Sequence, residues 1–388
     1  MDKNGFKFNP HYPLNYYYYY IYINIILEEE DNKTYNTWDR KVSTSNPTIV
    51  NVLDGIDVKS VPIWLMRQAG RYLEEYRAVR KTSGSFLNLC YSPKMAKKVT
   101  LQPIERFNFD AAIIFSDILV IPDALGQSVQ FQEGIGPVLE PLRDLSSLNC
   151  LKMDNVTNHL SPVYETISDV RSELTSDKAV IGFSGAPWTI ATYMVEGGSS
   201  KDFSNIKQWA YSSPEEFSNL IEILISAITM HLLSQIKAGA DVIQIFDSWA
   251  GLLPDSGFKK WCIDPIKKIV AGVKSVFPDT PIIIFPRLAG HRYIAIADIE
   301  GVAAVSVDHT LSTDWISKNL QNKVAVQGNL DPVFLLTGGA AMKDEVKRIL
   351  EGLSGHPFIF NLGHGVLPNT PTDNVSELCE MVSVYRRS

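Results

Sequence analysis

The sequence predicts a single (β/α)8 TIM barrel, in which eight parallel strands alternate with helices along the chain. The first observation behind this prediction is a set of short apolar runs rich in β-branched residues. They occupy residues 63–66, 111–115, 180–183, 241–246, 282–285, 303–307, 324–327 and 358–361. Continuous rather than alternating apolar character indicates strands that are covered on both faces. A doubly wound open sheet is the alternative, and it is disfavoured because no GxGxxG motif follows the first run.

The second observation is that the stretches between these runs carry helix start and stop signals. The predicted starts are Ser92-Pro93, Ser213-Pro214, Asp264-Pro265 and Asp331-Pro332. Ser or Asp at the N-cap with Pro at the first helical position is typical of a helix start. We expect the first of these helices to reach Phe107. We expect the second to open with a capping box made by Ser213 and Glu216 and to end at Gly239.

The third observation is that polar side chains follow the apolar runs. Along the chain they are Arg67, Arg71, Asp117, Ser184, Thr189, Asp247, Ser248, Asp308, His309, Asn329 and His364. In barrels of this kind, the active site is built from loops at the carboxyl ends of the strands. We therefore expect these side chains to meet at one end of the barrel.

Composition and charge narrow the function classes. The chain has 388 residues, of which 45% are apolar and 20% charged, so it can form a substantial core. Length alone would allow two domains, but barrels of this size are routinely one, and residues 51–388 are predicted to form it. The net charge of −7 argues against nucleic-acid binding. Arginines in a cleft of an acidic protein instead favour a small anionic ligand.

The cysteines indicate neither a disulfide framework nor a metal site. Cys90, Cys150, Cys262 and Cys379 are scattered, and none belongs to a CxxC or HxC pair. We expect reduced thiols that are mostly buried, and no bound metal.

Residues 1–50 differ in composition from the rest of the chain. An apolar and aromatic run at residues 16–27 follows Lys3, Lys7 and His11, and an acidic run ends it. Such a run is too short to span a membrane and fits the apolar region of a targeting peptide. We interpret residues 1–50 as a low-complexity, targeting-like extension that directs the chain to an apicoplast-like plastid and is then removed. Low-complexity drift, with the protein in the cytoplasm, is the alternative.

The first apolar run leads into a loop with two guanidinium groups, Arg67 and Arg71. The planar fork of arginine matches a carboxylate in bidentate geometry, so this pair could hold two acidic groups of one ligand. A solvated ion-pair cluster with Glu74 and Glu75 is the alternative.

Individual histidines and tryptophans have simpler interpretations. His231 lies within an apolar helical stretch, so we expect a core residue. His364 lies between two glycines at the end of a strand, and there we expect a site residue. Trp188 and Trp249 are predicted to wall a pocket or to pack at the barrel rim rather than to take part in chemistry.

Three motifs carry a resemblance that covers the chain from about residue 61 to residue 385. They are Arg67-Gln68-Ala69-Gly70-Arg71-Tyr72, Gly182-Phe183-Ser184-Gly185-Ala186-Pro187-Trp188-Thr189 leading to Tyr193-Met194-Val195-Glu196-Gly197-Gly198, and Asn361-Leu362-Gly363-His364-Gly365. Together they resemble the uroporphyrinogen decarboxylase family. The resemblance implies a homodimeric barrel enzyme of haem biosynthesis. It is expected to need no cofactor and to have no membrane partner. Its reaction removes the four acetate carboxyls of uroporphyrinogen III as carbon dioxide and leaves coproporphyrinogen III.

The resemblance also implies the site residues. The predicted substrate-binding residues are Arg67, Gln68, Ala69, Gly70, Arg71, Asp117, Tyr193, Ser248 and His364, and those predicted to be catalytic are Asp117, Arg67, Tyr193 and His364. One departure is His309, at a position where the family pattern leads us to expect tryptophan. It lies beside the predicted site, so an effect on packing there is the consequence to look for.

The chemistry of decarboxylation explains these residue types. A carboxylate that leaves as carbon dioxide leaves its electron pair behind, and a pyrrole protonated next to the acetate-bearing position can accept that pair. An ionised Asp117 can accept hydrogen bonds from the pyrrole N–H groups and offset the developing positive charge. We expect nearby arginines to keep Asp117 ionised despite burial. Arg67, Tyr193, His364 and a held water all remain open as the proton donor.

Three other functions compete with this interpretation. A corrinoid-dependent methyltransferase would need a zinc-bound thiolate, but the fifth run ends in Phe285-Pro286-Arg287-Leu288 with no histidine-x-cysteine pair. A sugar-phosphate barrel is indicated only by glycines after the seventh and eighth runs. A porphyrin carrier that kept the pocket without the chemistry is the third.

Overall fold

Seven parallel strands form the curled sheet at the centre of this computed structural model, which describes residues 46–56, 58–132 and 134–386. The strands in the described residues are β1 Ala111–Ile113, β2 Val129–Gln132, β3 Gly136–Leu139, β4 Ala179–Gly185, β5 Val242–Asp247, β6 Ile282–Pro286, β7 Ala304–Ser306, β8 Ala325–Leu330 and β9 Phe358–Leu362. The sheet order is β1-β4-β5-β6-β7-β8-β9, and every neighbouring pair in it is parallel. The predicted TIM-barrel class is confirmed.

The first predicted strand, residues 63–66, takes the eighth place in the barrel but is not a regular strand. Ile63 makes a single parallel bridge to Phe360 of β9, and on the other side its carbonyl accepts from the amide of Asp110, at 2.9 Å. The segment therefore lies between β9 and β1. Side chains take the amides that a ladder would use: Asp110 Oδ2 accepts from Ile63 at 2.7 Å, Gln68 Oε1 from Leu65 at 3.2 Å and Asn361 Oδ1 from Met66 at 3.0 Å.

Helices surround the sheet. In the described residues the α-helices are Thr48–Leu53, Glu74–Thr82, Phe86–Cys90, Pro93–Phe107, Val120–Ala124, Val156–His159, Ser161–Glu173, Pro187–Glu196, Ser204–Ser212, Pro214–Lys237, Asp255–Phe258, Asp264–Val276, Tyr293–Ala297, Thr313–Asn319, Pro332–Thr337, Gly339–Leu353 and Thr372–Val384. Short 3-10 segments are Leu145–Cys150, Ala250–Leu252 and Gly290–Arg292, and Lys259–Ile263 forms a π turn. The predicted helix from Ser92-Pro93 to Phe107 is confirmed.

The other predicted helix starts have mixed outcomes. Asp331 caps its helix as expected, since its carboxylate accepts from the amide of Val333 at 2.9 Å. The capping box at Ser213 is wrong: its side chain makes no capping bond, and its amide already donates to the carbonyl of Trp209. Helix Asp264–Val276 begins at the predicted position, but Asp264 is not its N-cap, because the π turn Lys259–Ile263 runs directly into it. Pro265, which has no N–H, follows this wider turn.

An antiparallel hairpin of β2 and β3 was not predicted. Val129 pairs with Leu139, and Gln132 with Gly136, outside the main sheet. Its strands are four residues each, so the sequence offers too short a pattern to distinguish it from a loop. The hairpin bears on function because Phe131 and Pro137 reach the cavity described below.

Two packing features fix the barrel. Helix Thr48–Leu53 packs Ile49 and Val50 against residues from the starting ends of strands, such as Ala111 and Val242, and so covers the end of the barrel opposite the cavity. The predicted start of the barrel domain, residue 51, lies inside this helix, and residues 1–45 of the predicted extension lie outside the described residues.

Helix Pro214–Lys237 is long and apolar enough to cross a membrane, but 83% of its most apolar 18-residue stretch is buried in the core.

Candidate active site

A cavity of about 480 Å³ opens at the carboxyl ends of the strands. Its polar lining residues are Arg67, Arg71, Ser116, Asp117, Tyr193, Ser248 and His364. They come from loops after the 63–66 segment, β1, β5 and β9, and from the helix after β4. Ala69 and Gly70 line the same cavity. The structure therefore brings together eight of the nine residues that the sequence analysis predicts for substrate binding.

Gln68 is the ninth, and its side chain faces the protein rather than the cavity. Its amide oxygen accepts from the amide of Leu65, and its amide nitrogen donates to the carbonyl of Ala111 at 3.0 Å. Its own carbonyl accepts from the hydroxyl of Tyr72 at 2.8 Å. The side chain of Gln68 thus ties the arginine loop to β1 and sets where the two guanidinium groups lie.

Arg67 adopts a backbone conformation that is unusual for a residue with a side chain. Its φ is +61°, in the left-handed region. The stem of the side chain lies against Gly365, where an added Cβ would collide with Cδ and Cγ of Arg67. The glycine after His364 therefore makes room for Arg67, and the first and last loops of the barrel pack on each other at the cavity.

The alternative of an ion-pair cluster at the arginine loop is not what the structure contains. Glu75 pairs with Arg106 of a neighbouring helix, at 3.3 Å, and the carbonyl of Arg71 accepts from Arg77 at 2.7 Å. Arg67 and Arg71 both line the cavity. Their charge is thus available to a ligand.

Asp117 stands on the cavity wall with one oxygen engaged. Oδ1 accepts from the amide of Leu119 at 2.9 Å. Burial raises the pKa of Asp117 to about 6, against the opposing effects of that hydrogen bond and of Arg67. Arg67 therefore lowers the pKa of Asp117, as expected, but by less than burial raises it. At neutral pH the carboxylate form still predominates.

His364 is held as a neutral imidazole. Burial, then the positive charges of Arg67 and Arg287, lower its pKa to about 3. The unexpected His309 lies next to it: an added Cβ at Gly363 would meet His309, and the imidazole of His309 lies 3.9 Å from the carboxylate of Asp331. A neutral His364 can donate one hydrogen bond, but it is a poor source of a proton at neutral pH.

Tyr193 and Ser248 reach the cavity from adjoining elements that one hydrogen-bond chain joins. Thr189 donates to the buried carboxylate of Asp247 at 2.6 Å and accepts from the amide of Trp249 at 3.1 Å. This chain fixes the helix that carries Tyr193 against the loop that carries Ser248. Burial raises the pKa of the Tyr193 phenol, so the hydroxyl remains protonated and can donate.

The apolar wall of the cavity was largely missed by the sequence analysis. Its aromatic members are Tyr76, Phe86, Phe115, Phe131, Phe183, Phe246 and Phe285. Phe183, Phe246 and Phe285 lie near the carboxyl ends of β4, β5 and β6. Their position at predicted strand ends could have identified them. Phe86 packs on Phe131 of the hairpin with ring centroids 4.6 Å apart, and no sequence pattern predicts this contact.

The remaining single-residue predictions can now be compared with the structure. His231 is buried and within 3.1 Å of the Tyr164 hydroxyl, as expected for a core histidine. Trp188 is fully buried and donates to the carbonyl of Trp249, so it packs at the rim, as predicted. Of the four cysteines, which are unpaired, Cys90, Cys262 and Cys379 are buried and Cys150 is exposed.

A zinc-thiolate site finds no support where the structure can be inspected. Among residues 46–56, 58–132 and 134–386, no group of three or more His, Cys, Asp or Glu side chains is placed to hold a metal ion. The ligand set that a corrinoid-dependent methyltransferase would need is therefore not present in this part of the chain.

The family model and the sequence relatives agree on one family. The family model for uroporphyrinogen decarboxylase (URO-D) matches residues 44–385. Uroporphyrinogen decarboxylase of Rhodospirillum rubrum is 49% identical over 89% of this chain and 99% of its own length. The enzyme of the same name from Chelativorans sp. is 48% identical over 86% of this chain and 97% of its own length.

Two solved structures share the fold. A methyltransferase from Methanosarcina mazei has a TM-score of 0.71 at 20% identity, covering 86% of this chain and 96% of its own. A B12-independent methionine synthase from Shewanella sp. W3-18-1 has a TM-score of 0.51 at 12% identity, covering 75% and 87%. At such identities the likeness concerns the barrel alone.

The predicted plastid location is wrong. Relatives that match along nearly the whole barrel, from Rhodospirillum rubrum, Chelativorans and Mesorhizobium japonicum, are bacterial proteins, and bacteria have no plastids. Composition misled the prediction because an apolar run after a few basic residues is common to targeting peptides and to biased low-complexity sequence.

Proposed function

This chain belongs to the uroporphyrinogen decarboxylase family, and we propose that its cavity removes the four acetate carboxyls of uroporphyrinogen III, one after another, to give coproporphyrinogen III. The enzyme is a carboxy-lyase. The observation that carries the proposal is that one half-buried carboxylate, Asp117, and the guanidinium groups of Arg67 and Arg71 line the same cavity. The carboxylate suits pyrrole N–H groups, and the guanidinium groups suit the acidic side chains around them.

The proposed reaction consumes one proton for each carbon dioxide released. A proton adds to the pyrrole carbon next to the acetate-bearing position and makes that ring cationic. The bond between the methylene and the carboxylate then breaks, carbon dioxide leaves, and the electron pair flows into the ring. A proton next adds to the methylene carbon, and loss of the first proton restores the pyrrole with a methyl group. Asp117 stabilises the cationic stage from a fixed position.

Substrate binding in this proposal is mainly electrostatic. The substrate carries eight carboxylates, so the cavity must supply positive charge and donors. Arg67 and Arg71 supply charge, and Tyr193, Ser248 and neutral His364 donate hydrogen bonds to acidic side chains. Because Asp117 contacts the N–H groups that all four rings share, rotation of the macrocycle presents each acetate in turn. The apolar wall excludes water from the reacting ring.

The proton donor follows from the states of the groups present. His364 is neutral because burial and Arg67 lower its pKa to about 3, so its role is to donate a hydrogen bond. The guanidinium of Arg67 is a poor acid. We assign proton delivery to Tyr193 or to a water that it holds: its hydroxyl carries a proton at neutral pH and lines the cavity, although the raised pKa makes this phenol a weaker acid than usual.

We also propose that the enzyme works as a homodimer, without a cofactor, a membrane or a nucleic-acid partner. Family membership supports the dimer, and the net charge of −7 fits a protein that does not bind nucleic acid. Sedimentation of the purified full chain measures the dimer directly: a monomer at micromolar concentration contradicts it.

Product analysis is the test of the proposed function. Purified full-length protein, given uroporphyrinogen III under anaerobic reducing conditions, is expected to yield species with seven, six, five and finally four carboxyl groups. Chromatography after oxidation to the porphyrins resolves these species. Bound tetrapyrrole with no fall in carboxyl number would instead identify a porphyrin carrier.

Asp117 predicts the acid limb of the pH profile. Its pKa is raised to about 6, so the carboxylate is present above that pH and is lost as pH falls through it. We expect kcat/KM to fall about tenfold per pH unit below pH 6, since this quantity reports groups of the free enzyme. His364, with a pKa of about 3, stays neutral over the same range.

A control separates Asp117 from Asp247, a second carboxyl whose pKa is raised by burial. Burial raises the pKa of Asp247 to about 6 as well, although it does not line the cavity. Asp247→Asn is expected to keep the acid limb near pH 6. A limb that disappears in this variant would assign the titration to Asp247 and contradict the prediction.

A further inference from the structure

Arg287 directly follows β6, beside the cavity but outside its lining residues, at a position that the family motifs do not mark. Phe246 of β5 and Phe285 of β6 are paired in register, and both line the cavity. Side chains two residues further along a strand face the same side. Ser248 and Arg287 are therefore the next pair on that side, one layer above the two phenylalanines, and Ser248 also lines the cavity.

The backbone holds Arg287 firmly in this place. Its amide donates to the carbonyl of Asp247 at 3.1 Å, and its carbonyl accepts from the amide of Gly251 at 3.1 Å. Both contacts are with the loop that carries Ser248. The start of the Arg287 side chain is thus positioned by the same segment that positions a predicted substrate-binding residue.

The charge of Arg287 has no protein counter-charge in the part of the chain that the structure describes. Its Nε is buried without a hydrogen-bond partner, and no ion pair there involves its guanidinium. The acidic residue at the end of the next strand, Asp308, is already saturated. Its carboxylate accepts from the amide of Leu288, the hydroxyl of Tyr293 and both the amide and hydroxyl of Thr310.

Burying an N–H donor of a charged group without a hydrogen-bond partner costs folding free energy, so the presence of one here needs an explanation. The positive charge acts on the cavity, because Arg287 is among the groups that lower the pKa of His364. A carboxylate from the ligand, entering beside Ser248 and His364, would satisfy this arginine in the bidentate geometry that a guanidinium favours.

We propose that Arg287 binds a propionate of the tetrapyrrole, on the wall of the barrel across from Asp117. This inference rests on the proposed function and adds a specificity-determining residue to it. Propionates persist through all four decarboxylations, whereas acetates disappear one by one. An arginine at one place on the barrel can therefore hold every intermediate in the same way only if it holds a propionate.

The experiment compares substrates that differ in acetates but share four propionates. For Arg287→Met, we expect KM to rise about tenfold for both uroporphyrinogen III and the pentacarboxylate porphyrinogen, with kcat within about twofold of the wild type. Binding of coproporphyrinogen, which has propionates only, is expected to weaken by the same factor. Arg287→Lys, which keeps charge without the planar fork, is expected to raise KM about threefold.

Lys347→Met is the matched control, since it removes one positive charge from a side chain that is 71% exposed on the outer helix Gly339–Leu353. It is expected to leave KM unchanged. Wild-type KM in both Arg287 variants, or a KM increase confined to the octacarboxylate, overturns the inference. If the wild-type chain releases no carbon dioxide, the proposed function fails, and the coproporphyrinogen comparison still decides the role of Arg287.

Discussion

Replacement of Asp117 by alanine is expected to abolish turnover and to weaken substrate binding together, because one carboxylate serves both. It is the acidic side chain that lines the cavity in the described chain, and its Oδ1 is held by the amide of Leu119. Loss of a single fixed group that stabilises developing charge costs about 10²–10³ in rate. Since Asp117 also holds the N–H groups in the proposed mechanism, we expect kcat/KM to fall by about 10³ or more.

Asp117→Asn sharpens this prediction. It keeps the shape of the side chain but loses the charge and places two donors where the pyrrole N–H groups need acceptors. Its loss of kcat/KM is expected to match that of the alanine variant. Asp123→Asn is the control: Asp123 bonds to Tyr91 and His159 and does not line the cavity, so activity should be retained. Unimpaired decarboxylation by Asp117→Ala would mean that another carboxylate does this work.

The barrel could be predicted from sequence because its strands are covered on both faces and therefore read as apolar runs. The exception is instructive. Residues 63–66 satisfy the apolar criterion, yet side chains of Asp110, Gln68 and Asn361 take the amides that would make a ladder. Two of these bonds join residues 47 and 295 apart in sequence, so no local pattern reveals them.

The site was predictable to the extent that it depends on position along the strands. Arg67, Asp117, Ser248 and His364 follow strand ends, and the fold brings strand ends together. What could not be predicted depends on burial. The pKa of Asp117 is about 6 because burial by the surrounding protein raises it more than Arg67 lowers it. The cavity wall made by Phe86 and Phe131 likewise depends on a hairpin contact.

Arg67→Lys is expected to lower kcat/KM by at least about 100-fold, although the charge is conserved. A lysine offers a point charge on a flexible stem, whereas the guanidinium offers two parallel donors in a fixed plane to the acetate carboxylate. The backbone at residue 67 is already committed, with φ at +61°, so lysine cannot regain the geometry by adjusting the loop cheaply. Steady-state kinetics with uroporphyrinogen III measure the loss.

Gly365→Ala tests the same placement without altering the arginine. The added methyl would collide with Cγ and Cδ of Arg67, so the guanidinium must move while its chemistry is unchanged. A misplacement of about 1 Å can cost about 10² in rate, so we expect a loss close to that of Arg67→Lys. Arg80→Lys is the control, since Arg80 donates to the carbonyl of Gly84 and does not line the cavity. Near-normal rates in both site variants would reduce Arg67 to a distant source of positive charge, because neither fork geometry nor position would then matter to the reacting acetate.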